Sequence, residues 1–499
     1  MAERTSGTVP EASVGQWKDR KRYLWLIRLV VPSLAFIAFG GYALTGWSAW
    51  LWIGPIVILG IVPGIDLVAG LDRSNPPDDV IEQLEGDRYY RWITYLFLPI
   101  QYAGFIGAMW LIAGGNPFGM LDEPLSVLDK VGLAISIGCV GGIGINTAHE
   151  LGHKKESHER WLSKIALAQS FYGHFYIEHN RGHHVRVATP EDPASSRLGE
   201  SFYAFWPRTV WGSLRSAWRL EKRRYARRRK HPFRLGNDVL NAWLMSVVLW
   251  GGVLLAFGIG VLPYLVIQAV VGFSLLEVVN YMEHYGMLRQ KVGEGKRRRY
   301  ERVDPSHSWN SNNIATNVLL YHLQRHSDHH ANPTRRYQTL RDFEESPVLP
   351  TGYAGMIVLA IVPAIWRRVM DPRVVAHFDG DVTRANIQPR KRAKVLAQYA
   401  EPAPRPAPAP DDQGVDAAAP GRPDAGPGAG SAARSGAEEV LAAACPGCDF
   451  VYEVEAGCEH EGFAAGTAWS EIPDDWCCPD CGVREKVDFV PLRPAATAG

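Results

Sequence analysis

Six apolar runs constrain the fold of this 499-residue chain more than any other feature of its sequence. Each run is long enough for a helix to cross the ~30 Å hydrocarbon core of a bilayer. Core helices of a soluble protein are the alternative, but six such runs together favour a membrane protein. We therefore predict a bundle of six transmembrane helices. The runs lie at 23–46, 48–71, 92–113, 131–148, 239–258 and 261–282.

The charged residues between these runs predict how the chain is oriented. Segments 1–22, 72–91 and 149–238 hold five, three and eighteen Lys or Arg, whereas the alternate connections hold none. Because positively charged connections remain in the cytoplasm, both termini are predicted to lie on the cytoplasmic side of the inner, or cell, membrane. The whole chain has a net charge of only +1, and this balance argues against a nucleic-acid partner.

Two further stretches allow more than one interpretation. The apolar stretch 355–366 is too short to span and is expected to form an interfacial or buried helix. The stretch 215–234 is rich in Lys and Arg. It is either a surface that faces lipid headgroups or a docking surface for an acidic partner.

Histidines are clustered where two of the apolar runs end. His149 and His153 follow the fourth run and are four residues apart, so one helix face can present both to a metal ion. Adjacent pairs such as His183 and His184 point about 100° apart on a helix, which suits two metals or one chelating loop. The candidate ligands are His149, His153, His179, His183, His184, His284, His326, His329 and His330. One of them could be replaced by His174, His307 or His322.

The segment from His149 to His153 also fits the zinc-protease motif, in which Glu150 would act as general base. A catalytic zinc uses three protein ligands and one open position, so nine histidines exceed the needs of one zinc. Imidazole alone does not select among Fe, Zn, Cu and Ni. Two redox-active irons at the end of a membrane bundle would meet an apolar substrate from the bilayer and electrons from the cytosol, and this favours iron.

Four segments of the chain resemble the AlkB-type integral-membrane alkane monooxygenases. They are HELGHK (149–154), EHNRGHHVRVATPEDPAS (178–195), NYMEHYG (280–286) and LQRHSDHHANPTRRYQ (323–338). The resemblance covers about residues 20–370. It implies an all-α, desaturase-like fold, a non-haem diiron centre held by the nine histidines, and terminal hydroxylation of n-alkanes with O2. Membrane fatty-acid desaturases share the looser histidine pattern, so an acyl-chain desaturase or ω-hydroxylase is the alternative.

Carboxylates next to the histidines are candidates for holding the imidazole rings in place. Metal-bound imidazoles usually donate their other N–H group to a carboxylate or carbonyl. About half of the neighbouring carboxylates are expected to accept such a bond. The candidates are Glu150, Glu178, Asp192, Glu283 and Asp328. An apolar channel lined by Trp, Phe and Leu of the first four runs is expected to set the substrate chain length.

The composition changes sharply at residues 401–437, where 25 of 37 residues are Pro, Ala or Gly. No apolar face can form there, so this stretch is predicted to be a flexible linker. We therefore divide the chain into five parts. They are a cytoplasmic segment (1–22), a membrane diiron domain (23–400), the linker (401–437), a small second domain (438–492) and a tail (493–499).

The second domain contains two CxxC turns, which are typical of a site with four thiolate ligands. The segments CPGCDFVYE (445–453) and GTAWSEIPDDWCCPDCG (466–482) resemble a rubredoxin over about residues 440–491. The resemblance implies a small β domain with one iron, bound by Cys445, Cys448, Cys478 and Cys481. A structural zinc site is the alternative. Three other cysteines are expected to lie outside the metal site, namely Cys139, Cys458 and Cys477, although Cys477 could compete for the ion.

The two domains have opposite charges. Residues 438–492 hold thirteen Asp or Glu and two Lys or Arg, whereas residues 1–400 hold 47 basic and 34 acidic residues. Opposite charges steer docking, and a tether raises the local concentration of the smaller domain. We therefore expect the rubredoxin-like domain to pass electrons to the membrane domain. The resemblance further implies that a separate NAD(P)H-dependent flavin rubredoxin reductase supplies those electrons.

Overall fold

The computed structural model describes residues 17–119, 121, 123–295, 298–399 and 440–492 of the chain. The predicted linker (401–437), the predicted tail (493–499) and most of the predicted segment 1–22 lie outside these residues. The α-helices are α1 (Leu24–Thr45), α2 (Ser48–Ala69), α3 (Ile81–Gly86), α4 (Arg88–Ile112), α5 (Val127–Gly152), α6 (Ser157–Ala168), α7 (Phe175–Glu178), α8 (His184–Arg186), α9 (Phe202–Arg227), α10 (Asp238–Phe257), α11 (Ile259–Glu283), α12 (Ile314–Leu319), α13 (His326–Ala331), α14 (Tyr353–Ile361), α15 (Pro363–His377) and α16 (Arg392–Gln398).

Six of these helices are long and apolar enough to cross a membrane, namely α1, α2, α4, α5, α10 and α11. Each corresponds to one of the six predicted runs, so the predicted helical bundle is confirmed. Helix α5 is the central one, because 83% of its apolar window is buried, against 28–50% for the others. It begins at a capping box in which Ser126 and Asp129 bond reciprocally.

Glycines let α5 approach α11 closely. A Cβ atom at Gly138 would lie 2.7 Å from the backbone oxygen of Gln268, and one at Gly142 would lie 2.9 Å from that of Gly272. Small residues at such contacts are how helices pack where lipid supplies no hydrophobic driving force. This contact fixes the ends of α5 and α11, which carry His149, His153 and His284, beside each other.

The short apolar stretch 355–366 forms two helices rather than one. Helix α14 ends at Ile361, Val362 has an extended backbone, and Pro363 begins α15. Proline at a first helical position pre-sets the backbone but removes an N–H donor. Met356 and Ala360 are buried in the same core cluster as Tyr281 of α11. This stretch therefore packs against the end of the bundle.

The C-terminal domain is a small three-stranded antiparallel sheet. The sheet consists of strands β3 (Ala442–Ala444), β4 (Val451–Glu453) and β5 (Val490–Leu492). Two earlier strands, β1 (Lys291–Val292) and β2 (Arg299–Tyr300), pair with each other in the membrane domain. Strand β3 lies in the middle, with Ala443 opposite Tyr452 on one side and Pro491 on the other. Tyr452, Trp476 and Phe489 form its core.

Candidate active site

The nine predicted histidines come together from four parts of the chain at one end of the bundle. His149 lies in the last turns of α5, His153 follows α5, and His284 follows α11. His179 and His183 lie in a π-helical turn between α7 and α8. The others lie on α8 and α13, namely His184, His326, His329 and His330.

These histidines form two groups, each with nitrogen atoms within 4.8 Å of one another. The five-histidine group consists of His149, His153, His179, His184 and His329. The four-histidine group consists of His183, His284, His326 and His330. Each adjacent pair is divided between the groups, as expected for neighbouring residues that point about 100° apart. The prediction of two metal positions is therefore consistent with this geometry.

The π-helical turn His179–His183 has a direct consequence for the five-histidine group. In a π turn, residues five apart lie over each other, which an ordinary α-helix does not allow. His179 and His184 are five apart, and their Nε2 atoms are 3.0 Å from each other. A single turn thus supplies two members of one group, while His183 points to the other.

The nitrogen atoms of both groups are arranged for metal ions. The Nε2 atoms of His326 and His330 are 2.9 Å apart, and those of His184 and His329 are 3.2 Å apart. The Nε2 atoms of His149, His153 and His183 are buried without any hydrogen-bond partner in the described residues. Burial lowers the pKa of His329 and His330 well below the ordinary value, and neighbouring imidazoles lower it further. Neutral, converging imidazoles are the ligand form that iron binds.

Two of the five candidate carboxylates touch a histidine. Asp192 accepts from Nδ1 of His183 at 2.9 Å, and Glu283 lies 3.2 Å from Nε2 of His326. Burial alone would raise the pKa of Asp192, but His183 and Ser195 hold it well below its ordinary range. Asp192 therefore stays ionised and orients the ring of His183.

The other three carboxylates have different partners. Glu150 is 2.9 Å from the ammonium group of Lys154 and accepts the backbone N–H of Tyr337. Glu178 pairs with Arg186, and Asp328 pairs with Arg335. Because Glu150 is already engaged, the general-base role that a zinc protease would require is not supported.

The three alternative histidines lie outside both groups. His322 contacts Lys21 and the backbone oxygen of Tyr337. His307 lies between Glu301 and Asp304. His174 is buried against the ring of Tyr172. None of them belongs to either histidine group among the described residues.

A narrow apolar cavity of about 80 Å³ reaches both histidine groups. His149, His179 and His326 line it, and Glu283 is the one carboxylate among its described lining residues. The apolar lining comes chiefly from α2, α5, α11 and the segment after α12. It includes Ile58, Val62, Ile143, Leu275, Leu276 and Leu320.

This lining corrects part of the sequence-based expectation. The second and fourth runs do contribute, as predicted, but the first and third do not appear among the described lining residues. The sixth run contributes Leu275, Leu276 and Val279, which were not expected, and no tryptophan lines the described cavity. Which helix faces the cavity depends on helix packing, and hydrophobicity alone does not reveal it.

Four cysteines of the C-terminal domain form the third group. Cys445, Cys448, Cys478 and Cys481 have sulfur atoms within 4.8 Å of one another. The Sγ atoms of Cys448 and Cys478 are 3.5 Å apart, and the N–H of Gly447 donates to Cys445 at 3.4 Å. Cys477 instead lies 3.7 Å from the backbone oxygen of Asp475. Cys477 and Cys458 remain outside the group, as predicted.

The C-terminal domain contacts the membrane domain beside the two histidine groups. Arg181 and Arg227 are 2.6 and 3.0 Å from the carboxylate of Glu461, and Arg302 is 2.6 Å from that of Asp488. Burial would raise the pKa of Glu461, but Arg181, His460 and Arg227 hold it well below its ordinary value. The acidic domain is thus fixed by arginines of the membrane domain.

Some of these docking residues were missed in the sequence. Arg227 belongs to the stretch 215–234, for which a docking surface was one of two interpretations. Arg224 of the same stretch is 3.0 Å from Nε2 of His460. Arg181 and Arg302 were not identified, because a single arginine carries no pattern. The position of Arg181 between two predicted ligand histidines was the available signal.

Comparisons with known proteins agree with this arrangement. The fatty acid desaturase family matches residues 130–360, and the rubredoxin family matches residues 442–489. The chain is 47% identical to the alkane 1-monooxygenase of Acinetobacter baylyi over 384 residues, which cover 76% of this chain and 91% of the relative. It is 47% identical to alkane 1-monooxygenase 1 of Alcanivorax borkumensis over 374 residues, covering 75% of this chain and 90% of the relative.

A third relative, the alkane 1-monooxygenase of Pseudomonas putida, is 44% identical to this chain over 387 residues, which cover 94% of the relative. The six apolar helices and these relatives show that the chain is an integral membrane protein. The two histidine groups fit a diiron centre, and the four cysteines fit the iron site of a rubredoxin.

Proposed function

Because this chain belongs to the alkane 1-monooxygenase family and ends in a rubredoxin domain, we propose that it hydroxylates n-alkanes at a terminal carbon. The reaction is R–CH3 + O2 + two electrons + two protons giving R–CH2OH + H2O. The observation that carries the proposal is one apolar cavity that reaches both histidine groups, with the electron-carrying domain docked beside them.

The ligands of each iron follow the observed groups. Five histidines hold one iron and four hold the other, and the four clustered cysteines hold the rubredoxin iron. When bound, the two irons supply the activation of O2 and the oxidation of the C–H bond. The surrounding residues keep the imidazoles neutral and oriented, with Asp192 fixing His183.

The cavity selects the substrate through its mainly apolar walls. Its walls are leucine, isoleucine and valine side chains, which favour an unbranched hydrocarbon by burial of apolar surface. Near the histidines the lining becomes polar, with Asn146, Asn280 and Glu283. A chain end that enters from the apolar side therefore meets polar groups only where the reaction takes place.

Electrons reach the rubredoxin domain from a separate protein. We assign this role to an NAD(P)H-dependent flavin rubredoxin reductase, because the described chain contains no nucleotide-binding motif of its own. The excess of Asp and Glu in residues 438–492 favours a reductase with a basic docking surface.

The membrane arrangement follows the charge pattern, and the domain bounds follow the change in composition at the linker. The bilayer surrounds the six spanning helices, the membrane is the inner one, and both termini lie in the cytoplasm. The diiron domain comprises 23–400 and the rubredoxin domain 438–492, joined by the linker at 401–437. This orientation gives the rubredoxin domain and its reductase access to the same compartment.

An enzyme that acts on acyl chains is the second candidate, and the match to the fatty acid desaturase family favours it. Both candidates are tested by gas chromatography of cells that express the chain with a rubredoxin reductase and receive octane or hexadecane. Primary alcohols that are absent from a His329→Ala control would support alkane hydroxylation. Modified membrane acyl chains without any alcohol would instead support the second candidate.

A further inference from the structure

One main-chain contact between the two domains joins two residues that each follow a predicted metal ligand. Gly482 follows Cys481 in the rubredoxin domain, and Asn180 follows His179 in the π-helical turn. A methyl group on Gly482 would overlap the backbone oxygen of Asn180 and would lie 3.3 Å from its carbonyl carbon. The main chains of the two domains are therefore in contact at this point.

The contact lies on the side of the five-histidine group. A polar cleft of about 390 Å³ between the domains is lined by His153 and Gly482, and a second cleft of about 350 Å³ is lined by His184. Both histidines belong to the five-histidine group, as does His179. Members of the four-histidine group are absent from the described lining of either cleft.

Two features favour glycine at position 482, its backbone conformation and the docked state, and only the docked state adds a steric clash. A Cβ atom there would have no atom of the rubredoxin domain within 4 Å, apart from its chain neighbours. Its backbone φ is +67°, a value that strains any side chain. Gly466 of the same domain has a φ of +83° and no atom within 4 Å, so it carries the same strain without the contact.

We infer that the contact between Gly482 and Asn180 is the electron entry point, and that the five-histidine group receives each electron first. In each transfer the rubredoxin iron goes from Fe(II) to Fe(III), and iron at the five-histidine group goes from Fe(III) to Fe(II). Two transfers supply the two electrons of the hydroxylation. This inference rests on the proposed function, and Gly482 is a positioning residue in it.

The test compares Gly482→Ala with Gly466→Ala in the purified full chain. Each protein is reduced without oxygen, mixed with oxygenated buffer and octane, and followed by the visible absorbance of the oxidised rubredoxin iron. The added methyl cannot fit in the docked state, so it separates the two main chains and lengthens the path for electron transfer. We expect Gly482→Ala to reoxidise several times more slowly than Gly466→Ala, with an unchanged oxidised spectrum.

Equal reoxidation rates in the two variants would overturn the inference. If Gly482→Ala does not bind the rubredoxin iron, the test compares His153→Ala with His330→Ala instead. The first variant alters the five-histidine group and the second alters the four-histidine group. Loss of the first electron transfer in His153→Ala alone supports the inference, and equal behaviour of both overturns it. Absence of alcohol from the unmodified protein would contradict the proposed function, which is a separate result.

Discussion

Adjacent histidines explain why the chain needs so few residues to build two metal positions. His183 and His184 are neighbours, yet each belongs to a different group, and His329 and His330 are divided in the same way. Each pair therefore fixes the two positions relative to each other through one peptide unit. Loss of one member of a pair is expected to affect its own group first.

Asp192 provides a test of this arrangement at the scale of one side chain. Asp192→Asn removes the charge that orients the ring of His183, so the four-histidine group should bind iron more weakly. Loss of such a partner costs about 10–100-fold in metal affinity or activity. We expect iron analysis to show partial loss of iron while the rubredoxin spectrum remains unchanged.

The matched control is the neighbouring Glu191→Gln. Glu191 is exposed and contacts the hydroxyl of Tyr300 rather than a histidine. This variant should keep its iron. Full iron content in Asp192→Asn would show that the carboxylate does not support the metal site.

Much of the site at residue scale could be predicted, but its partners could not. The spacing of His149 and His153 fixes a shared helix face, and the adjacent pairs indicate two metal positions. The choice of Asp192 over Glu178 as a partner depends on tertiary packing, because both stand close to a histidine in the sequence. Glu178 is turned instead toward Arg186.

At the scale of elements, the contact between α5 and α11 holds the site together. Gly142→Ala places a methyl group 2.9 Å from the backbone oxygen of Gly272 and 2.9 Å from Cβ of Leu275. Neither atom can rotate away, so the overlap should cost about 1–3 kcal/mol. This cost exceeds the gain of about 0.5–1 kcal/mol from replacing glycine in a helix. A lower melting temperature in detergent is expected.

Gly251→Ala in α10 is the control for this substitution, because nothing lies within 4 Å of its Cβ position. It should leave the melting temperature unchanged or raise it slightly. If Gly142→Ala were as stable as this control, the close approach of the two helices would not be required.

The six spanning helices could be predicted because each needs only a long apolar run. The fourth predicted run, 131–148, forms the longer helix Val127–Gly152, since polar residues at both ends continue it. Helix α9 was not predicted as an element, because its many Lys and Arg dilute any apolar pattern. The π-helical turn also leaves no mark in composition, since it depends on how the backbone closes around the site.

At the scale of the whole molecule, charge places one domain against the other. The carboxylate of Glu461 is only 6% exposed and is paired with Arg181 and Arg227. Arg181 and Arg227 of the membrane domain help to lower the pKa of Glu461, so their stabilisation of the docked state is fully present above the ordinary Glu pKa. This stabilisation is lost as the pH falls through the lowered pKa of Glu461. Around neutral pH the docked domain should therefore be insensitive to this group.

Glu461→Gln imitates the protonated carboxyl at neutral pH. Removing one partner of a buried charge pair costs about 2–5 kcal/mol, largely because the arginines are left unpaired. We expect reoxidation of the rubredoxin iron to slow at least tenfold and to lose much of its dependence on salt. Glu459→Gln alters an exposed carboxylate on the same turn and should behave like the unmodified chain. Equal rates in both variants would exclude this docking contact.

The opposite charges of the two domains were predicted from the sequence, but the particular pairs were not. The opposite net charges predict only that docking is favourable. Which carboxylates form the ion pairs, here Glu461 and Asp488, depends on the shape of the docked surfaces. The assignment of individual histidines and cysteines as iron ligands likewise stays a prediction. It is supported by their grouping and awaits metal analysis.

The central claim is that one chain carries both the hydroxylating centre and its electron donor. The most direct measurement uses the purified full chain with octane, NADH, a rubredoxin reductase and ¹⁸O2, and no added rubredoxin. The account predicts 1-octanol with one ¹⁸O atom, detected by gas chromatography and mass spectrometry. Octanol that forms only after a separate rubredoxin is added, or that carries no ¹⁸O, would contradict it.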